Sequence, residues 1–278
     1  MSVIKMLLKA NPYQVFQVSK TPVGLYARQK WLGQQSSKSW KIDFENTVKK
    51  LLADQLSDGS WGGSVLSTIR CLFDLHLTIR ERTASVSKGL EWLIDRSMEN
   101  FPHKRVVPKL VIRNNSLRGL PFSEGCSGYF LYSATLFLSS VFGKDKDSRI
   151  RLFYEWFDKL GIKNSGKWCG WSCSNNTLRA FIVHPEYSRS LSVKFFIESL
   201  QAVQNISGKW EKGISFYSTL NALAHIKTFE VDGQLDAAFK RTLRKQNSDG
   251  TWGIKGSEWY TFLVIHAMKN RGYDITDK

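Results

Sequence analysis

The chain has 278 residues, of which 42% are hydrophobic and 13% aromatic, and this composition excludes an intrinsically disordered protein and predicts one large packed domain. Forty Lys and Arg against 24 Asp and Glu give a formal net charge of +16, which favours anionic partners such as diphosphates, membrane surfaces or nucleic acid without choosing among them. The four cysteines are too few for a disulfide scaffold, so we expect a protein of the reducing cytoplasm.

Residues 1–40 are predicted to form a capping or membrane-surface segment. The stretch from Met1 to Ala10 is basic and apolar, but it is too short to span a bilayer. Such a stretch can at most lie on a membrane surface, which leaves a peripheral location open beside the cytoplasmic one. The alternative is that residues 1–40 cap the rest of the chain, residues 41–278.

From residue 41 onward the chain alternates between two kinds of predicted helix. Apolar residues recur three and four apart from Phe44 to Leu56 and again from Ser64 to Leu77, which is the spacing of amphipathic helices. Helices that carry Lys and Arg on one face are predicted at about 42–56, 84–98, 147–160, 190–204 and 234–246. Because a more apolar helix follows each of them, we predict five helical hairpins with a basic outer layer and an apolar inner layer.

The turns inside these hairpins repeat a pattern of Gln and Trp. Three copies have a Gln, five further residues and a Trp: Gln55 to Trp61, Gln204 to Trp210 and Gln246 to Trp252. A degenerate copy ends at Trp168, and the steps from Trp168 to Trp210 and from Trp210 to Trp252 are 42 residues each. In every copy a Gly stands two residues before the Trp, where it can adopt the positive φ that ends a helix. The Trp is then predicted to pack over the turn, and the Gln amide to bond backbone groups left free at helix ends.

Four of the five histidines fall 14 to 16 residues after a Trp of this pattern: His76, His184, His225 and His266. That position is near the end of each apolar helix, where an imidazole can bond the last carbonyl groups. We interpret these histidines as helix-end residues rather than as one site.

A basic insertion is predicted at residues 99–125. Trp61 and Trp168 are 107 residues apart, about two and a half repeats, so the hairpin between them carries extra chain. Loops of this length inside a compact domain are usually functional or disordered. The basic residues of the insertion are Lys104, Arg105, Lys109, Arg113 and Arg118.

The Gln-x-x-Asp-Gly-Ser/Thr-Trp turns resemble the QW motif of squalene-type terpene cyclases, whose repeats protein prenyltransferases share more loosely. The resemblance runs from Gln55 to the last hairpin. It implies an all-α fold, an α/α toroid of about five helical hairpins around an apolar cavity that holds an isoprenoid chain. It also implies a diphosphate held at the inner-helix N-termini and by the basic residues of the insertion.

Three features depart from those families. The Asp-x-Asp-Asp acid motif of the cyclases is absent, and so is the usual Asp-x-Cys plus His zinc set of the prenyltransferases. The chain is also about half the length of squalene-type cyclases, which stack two such barrels. The catalytic groups of either family therefore cannot be carried over directly.

Three cysteines form a candidate metal or catalytic site. Inner helices of consecutive hairpins begin near Gly125 and Cys173, so we expect Cys126 to lie close to Cys169 or Cys173 at the same end of the helices. A helix N-terminus stabilises a thiolate, and the Cys-x-x-x-Cys spacing is compatible with zinc. Glu124 could add a ligand, although the sequence shows no set of four. The alternative is that these are buried, inert cysteines.

Three carboxylates could act as a catalytic acid: Glu124 before one inner helix, Glu258 at the start of the last one, and Asp74 inside the first. A buried carboxyl with a raised pKa can protonate an alkene or an epoxide if neighbouring groups strengthen it as an acid. The alternative for each is a solvated or helix-terminal charge. The sequence does not single one out.

Aromatic residues near the starts of the inner helices could line the cavity and stabilise carbocations. Trp171, Tyr217 and Trp259 are the main candidates, with Phe216 and Tyr260 beside them. The alternative is that they are ordinary core residues.

The resemblance thus implies an isoprenoid-binding enzyme, similar to terpene cyclases or prenyltransferases, that acts on a prenyl diphosphate or polyprenyl chain in the central apolar cavity. The alternative is a non-catalytic toroid scaffold that binds a lipid, a peptide or a partner protein. Nucleic acid is not expected as a partner, because no recognised motif accompanies the charge.

Overall fold

Helices make up almost all of the regular structure. The computed structural model describes residues 4–99, 101 and 117–277. Within these ranges there are two strands, β1 (Ile4–Leu8) and β2 (Tyr273–Asp277), and eleven α-helices. The helices are α1 (Pro22–Lys30), α2 (Lys38–Ala53), α3 (Val65–Thr78), α4 (Ala84–Met98), α5 (Ser127–Val141), α6 (Ser148–Lys163), α7 (Trp171–Ile182), α8 (Leu191–Ala202), α9 (Phe216–Leu223), α10 (Phe229–Arg244) and α11 (Glu258–Asn270). No helix among the described residues is long and apolar enough to cross a membrane.

Ten of the helices in the described ranges form the five predicted hairpins: α2–α3, α4–α5, α6–α7, α8–α9 and α10–α11. The first helix of each pair lies close to the range predicted from its basic face. The largest difference is α10, which begins at Phe229 and not near residue 234. Glu230 and Asp232 in its first turn favour this earlier start, because acidic side chains interact well with a helix N-terminus.

Side-chain caps fix where several helices begin. The hydroxyl oxygens of Ser64, Thr83 and Ser257 each accept a hydrogen bond from a backbone N–H in the first turn of α3, α4 and α11 respectively. Such caps satisfy donors that a helix leaves free at its start. These hydroxyl residues are therefore the local sequence signals that set the three boundaries.

The chain forms two compact units, one of residues 45–196 and one of residues 1–44 with 197–278. In the first unit α5 packs against both α3 and α7, and its residues from Phe130 to Ser139 are all buried. This burial on every side explains why no residue of α5 is charged. In the second unit α11 packs against α9 and α1.

The N-terminal residues pack on the last hairpin. Strand β1 pairs with β2 in parallel, with Ile4 opposite Tyr273 and Leu8 opposite Asp277. Helix α1 contacts α11, and the ring of Tyr26 lies 5.3 Å from that of Phe262. The sequence did not predict this strand pair, because its two halves lie at opposite ends of the chain and neither carries a pattern that identifies the other. The membrane-surface role of residues 1–40 stays a prediction.

Candidate functional site

Each Gln–Trp turn connects the two helices of one hairpin, and the three turns are residues 55–61, 204–210 and 246–252. The Nε2 of Gln55 donates hydrogen bonds to the carbonyl oxygens of Gly59 at 2.9 Å and Ser85 at 2.8 Å. Gln204 repeats this arrangement with Gly208 at 3.3 Å and Gln234 at 2.9 Å. Each amide therefore ties its own turn to the first helix of the next hairpin, as expected for a structural element.

The tryptophan side chains of these turns and of the degenerate copy are buried and hydrogen-bonded. All four rings are buried, with Trp61, Trp168, Trp210 and Trp252 at 3%, 2%, 1% and 0% exposure. Three of the indole N–H groups donate to a carbonyl oxygen of the preceding helix, at Leu51, Phe157 and Thr242, over 2.7, 2.7 and 2.9 Å. Trp210 donates instead to Oε1 of Gln234 at 3.2 Å. These tryptophans are therefore structural, since each indole N–H already has a hydrogen-bond acceptor.

The last Gln–Trp turn bonds the N-terminal segment. The Nε2 of Gln246 donates to Gly250 and to Ala10, each at 2.9 Å, and its Oε1 accepts from the N–H of Lys9 at 2.8 Å. Ala10 therefore takes the place that Ser85 and Gln234 take for the other two turns. The N-terminal segment stands where the helix of a further hairpin would begin.

Three thiol groups meet at the start of α5 and α7. The Sγ atoms of Cys126, Cys169 and Cys173 lie within 4.8 Å of one another, and those of Cys126 and Cys169 are 3.8 Å apart. Cys126 and Cys169 are exposed, whereas Cys173 is buried, and its burial raises the pKa of its thiol. The structure thus brings together the three cysteines that the sequence placed in one site, and their role as metal ligands stays a prediction.

Two features fix the geometry of this thiol cluster. The side chain of Asn176, buried on α7, accepts from the N–H of Ser123 at 2.7 Å and donates to its carbonyl oxygen at 2.9 Å. A Cβ atom at Gly125 would lie 2.9 Å from Sγ of Cys173, so only glycine allows the loop to pass this close. Neither the Asn176–Ser123 hydrogen bonds nor the close approach at Gly125 was predicted from the sequence. The glycine directly before Cys126 was the available signal.

Asp74 is a half-buried carboxyl on α3, in the first helical pair. Burial raises its pKa to about 7, against a smaller opposing effect of the positive charge of Arg70 one turn earlier. Asp74 therefore keeps its proton in a substantial fraction of molecules near neutral pH. Asp74 is one of the three candidate acids predicted from the sequence, and its catalytic role stays a prediction.

The other two carboxylates have different surroundings. Glu258 accepts a hydrogen bond from the hydroxyl of Thr21 at 2.6 Å, which links the starts of α11 and α1. Glu124 is exposed, and its oxygens are not part of the thiol cluster found among the described residues. Their catalytic roles stay predictions.

A cavity of about 320 Å³ lies beside the turns of the last two hairpins. It combines three cationic side chains, Lys209, Arg241 and Lys245, with the rings of Phe216 and Tyr217. Burial raises the pKa of Tyr217, and the guanidinium of Arg241 lies 5.6 Å from the centre of the Phe216 ring. Tyr217 was expected at a cavity, but the three cations were not recognised, since they come from separate turns and helices.

The three remaining aromatic candidates pack against neighbours, and the ring of Tyr260 lies 4.9 Å from that of Tyr217. The ring of Trp259 is stacked 5.8 Å from that of Phe262, and Trp171 lies under the ammonium group of Lys167 at 4.5 Å. All three rings are partly exposed. Substrate contact by any of them stays a prediction.

Most of the basic insertion falls outside the described residues. This applies to Lys104, Arg105, Lys109 and Arg113. Arg118 is described and exposed, and its carbonyl oxygen accepts a hydrogen bond from Arg70 at 2.9 Å. The proposed binding of a diphosphate by these side chains stays a prediction.

His184 lies just after the end of α7, as predicted, but it bonds N–H groups of the following turn and not the last carbonyl groups of the helix. Its Nδ1 accepts hydrogen bonds from the N–H groups of Glu186 at 3.1 Å and Tyr187 at 3.3 Å. Its ring is buried against Tyr154, with the ring centres 4.4 Å apart, and this burial lowers the pKa of His184.

The sequence matches no protein-family model, and it matches no curated protein. Solved structures do match it. A variant of the type II terpene cyclase MstE from Scytonema, in complex with geranylgeranyl dihydroxybenzoate, is 14% identical over 92% of this chain and 87% of its own, with a TM-score of 0.60. The same cyclase without ligand has a TM-score of 0.57 at the same identity and coverage. A protein from Actinoplanes is 13% identical over 92% of this chain and 90% of its own, with a TM-score of 0.57.

These likenesses show the fold, because the sequence identities are too low to show more. The chain is all-α, and its helical hairpins have the α/α toroid fold of type II terpene cyclases. The predicted fold class is confirmed.

Proposed function

We propose that this chain is a terpene-cyclase-like enzyme that binds an isoprenoid compound, and that Asp74 donates the proton that starts its cyclisation. The Gln–Trp turns are, in this proposal, QW motifs of the squalene-cyclase and prenyltransferase repeat family. The observation that carries the proposal is the half-buried carboxyl of Asp74 on α3, whose pKa burial raises to about 7, within a fold shared with a cyclase that binds a geranylgeranyl compound.

The chemistry needs one proton donor and no external oxidant or reductant. The Asp74 O–H bond breaks as its proton adds to a substrate alkene or epoxide, which leaves a carboxylate and a carbocation. Ring closure moves the cation along the chain. The final carbocation loses a proton to water to give the neutral product, and the Asp74 carboxylate takes up a proton from water again. The positive charge of Arg70 favours the carboxylate that remains, which strengthens Asp74 as an acid against the effect of burial.

The test uses geranylgeranyl dihydroxybenzoate and geranylgeranyl diphosphate as probes. Cyclisation preserves the mass of the substrate, so the expected product is an isomer with a different retention time in liquid chromatography coupled to mass spectrometry. The rate should fall as the pH rises above about 7, since only protonated Asp74 can donate.

Asp74→Asn should abolish product formation while binding of the probe, measured by native mass spectrometry, is kept. Asp236→Asn is the matched control, because it makes the same substitution at an exposed aspartate of α10 and should leave the rate unchanged. Full activity of Asp74→Asn would contradict the assignment. Binding of a probe by the wild type without any product would instead favour the non-catalytic scaffold.

A further inference from the structure

We infer that Cys126, Cys169 and Cys173 bind one zinc ion and leave its fourth coordination position open to solvent. This goes beyond the proposed function and does not depend on it, because Asp74 belongs to a different hairpin and needs no metal. Thiolates are soft ligands that select zinc over magnesium or calcium.

The separations of the sulfur atoms fit a tetrahedral zinc site. With Zn–S bonds of about 2.3 Å, two thiolates of a tetrahedron lie about 3.8 Å apart. The Sγ atoms of Cys126 and Cys169 are separated by 3.8 Å, and all three sulfurs lie within 4.8 Å of one another. Contraction by about 1 Å of the widest separation thus completes the three-sulfur face of a tetrahedron.

A disulfide describes this cluster less well than a metal site. The two sulfur atoms of a disulfide are bonded at about 2.05 Å, whereas the Sγ atoms of Cys126 and Cys169 lie 3.8 Å apart. A disulfide would also leave the third thiol without a role. Two of the three thiols are exposed, so the cluster is not a set of inert core cysteines either.

The backbone around the cluster supports thiolate ligands. Cys126 is the N-cap of α5, and Cys173 lies in the first turn of α7, so the positive ends of two helix dipoles point towards the sulfurs. The N–H of Cys126 donates to Sγ of Cys173 at 3.2 Å, the kind of hydrogen bond that orients and stabilises a metal-bound thiolate. The double hydrogen bond between Asn176 and Ser123 holds the two halves of the site together.

The fourth coordination position of the zinc ion is the one that water or a substrate atom can occupy. Among the described residues the cluster offers three ligand atoms, and Cys126 and Cys169 are exposed. Closed structural zinc sites use four protein ligands, whereas sites that act on a substrate use three and keep one position for water or a substrate atom. The ion would therefore carry an exchangeable water that a thiol or an oxygen ligand can replace.

The experiment measures metal content directly. Reduced full-length protein is incubated with Zn²⁺, desalted and analysed by inductively coupled plasma mass spectrometry. We expect one zinc per chain, and Co²⁺ in its place should give intense thiolate-to-cobalt charge-transfer absorption. Cys126→Ser and Cys169→Ser should each weaken zinc binding by more than the roughly 10- to 100-fold that loss of a supporting hydrogen bond costs.

Cys71→Ser is the matched control, because Cys71 lies on α3 outside the cluster and should have no effect on zinc content. Circular dichroism of each variant shows whether it is folded. The inference is overturned if folded, reduced wild-type protein retains no zinc, or if the Cys126→Ser/Cys169→Ser double variant retains as much zinc as the wild type. Failure of this test leaves the role of Asp74 untouched, since cyclisation is assayed without added metal.

Discussion

Asp74 and His184 are both titratable side chains whose neutral form is favoured by burial, and burial moves their pKa values in opposite directions. The pKa of Asp74 rises to about 7, while that of His184 falls below its ordinary value. The folded protein therefore binds the proton of Asp74 more tightly than the unfolded chain does, and that of His184 less tightly. By linkage, Asp74 makes the fold less stable as the pH rises, and His184 makes it less stable as the pH falls.

Asp74→Asn should raise the free energy of unfolding at pH 8. At that pH the wild type must keep a charge in a partly buried place, and the amide removes this charge. The stabilising effect should shrink between pH 7 and pH 4, where the folded wild type becomes protonated. Urea denaturation of both proteins across this range measures the difference, and Glu124→Gln should show no comparable gain. A variant that loses stability at pH 8 would show that the carboxylate is needed for folding.

His184→Asn should reduce the loss of stability on acidification. Protonation of Nδ1 in the wild type breaks its two hydrogen bonds from Glu186 and Tyr187, whereas the Oδ1 of Asn can accept from the same groups without titrating. The wild type should therefore lose more free energy of unfolding between pH 7.5 and pH 5.5 than the variant does. Equal losses in the two proteins would place the acid sensitivity at other residues.

Residue-scale features were only partly predictable from the sequence. The three cysteines could be placed together because equal positions in neighbouring hairpins lie side by side. The raised pKa of Asp74 could not be predicted, because it depends on how much water the surrounding helices exclude. The pair of hydrogen bonds between Asn176 and Ser123 could not be predicted from the sequence either, since it joins residues 53 positions apart.

At the scale of elements, the Gln–Trp turns depend on a close approach of backbone to backbone. Gly208 has a φ of +80°, and a Cβ there would lie 2.1 Å from the carbonyl oxygen of Ala237 in α10. The turn therefore needs glycine for two reasons, the positive φ and the space. The helices themselves were predictable because their apolar residues recur with helical spacing. Their observed starts differ from the predicted ones where N-terminal caps or charges in the first turn set the boundary.

Gly208→Ala should destabilise the protein more than Gly213→Ala. Both positions have positive φ, +80° and +95°, but a Cβ at Gly213 meets nothing within 4 Å. The left-handed backbone alone costs about 1–2 kcal/mol for alanine, and the collision at Gly208 should add about 1–3 kcal/mol. Chemical denaturation of the two variants separates the contributions, and equal losses would show that the turn can move away from α10.

At the scale of the whole molecule, the order of hairpins was predictable but the pairing of the chain ends was not. A repeat pattern specifies what each hairpin contacts next, yet the last Gln–Trp turn uses backbone atoms of Lys9 and Ala10, which belong to no repeat. Such a contact leaves no periodic signal in the sequence. The strands β1 and β2 are too short to be recognised without each other.

Gln246→Ala should loosen the N-terminal segment selectively. Both Gln246→Ala and Gln204→Ala remove one hydrogen bond within their own turn. Gln246→Ala also removes the two bonds to Lys9 and Ala10, whereas Gln204→Ala removes one bond to the next hairpin. Limited proteolysis at low protease concentration should therefore cut the first 20 residues faster in Gln246→Ala than in the wild type or in Gln204→Ala. Identical cleavage patterns in all three would show that β1 and α1 hold the segment by themselves.

The pairing of the two chain ends also sets an order for folding during synthesis. Residues 45–196 form a unit from one continuous stretch, so it can fold once residue 196 has left the ribosome. The other unit needs residues 1–44 and 197–278 together, and β1 finds its partner only in Tyr273–Asp277. Residues 1–44 are therefore translated before residues 45–196 but complete their contacts after them, and until then Val23 and Leu25 of α1 must be shielded within the nascent chain or by a chaperone.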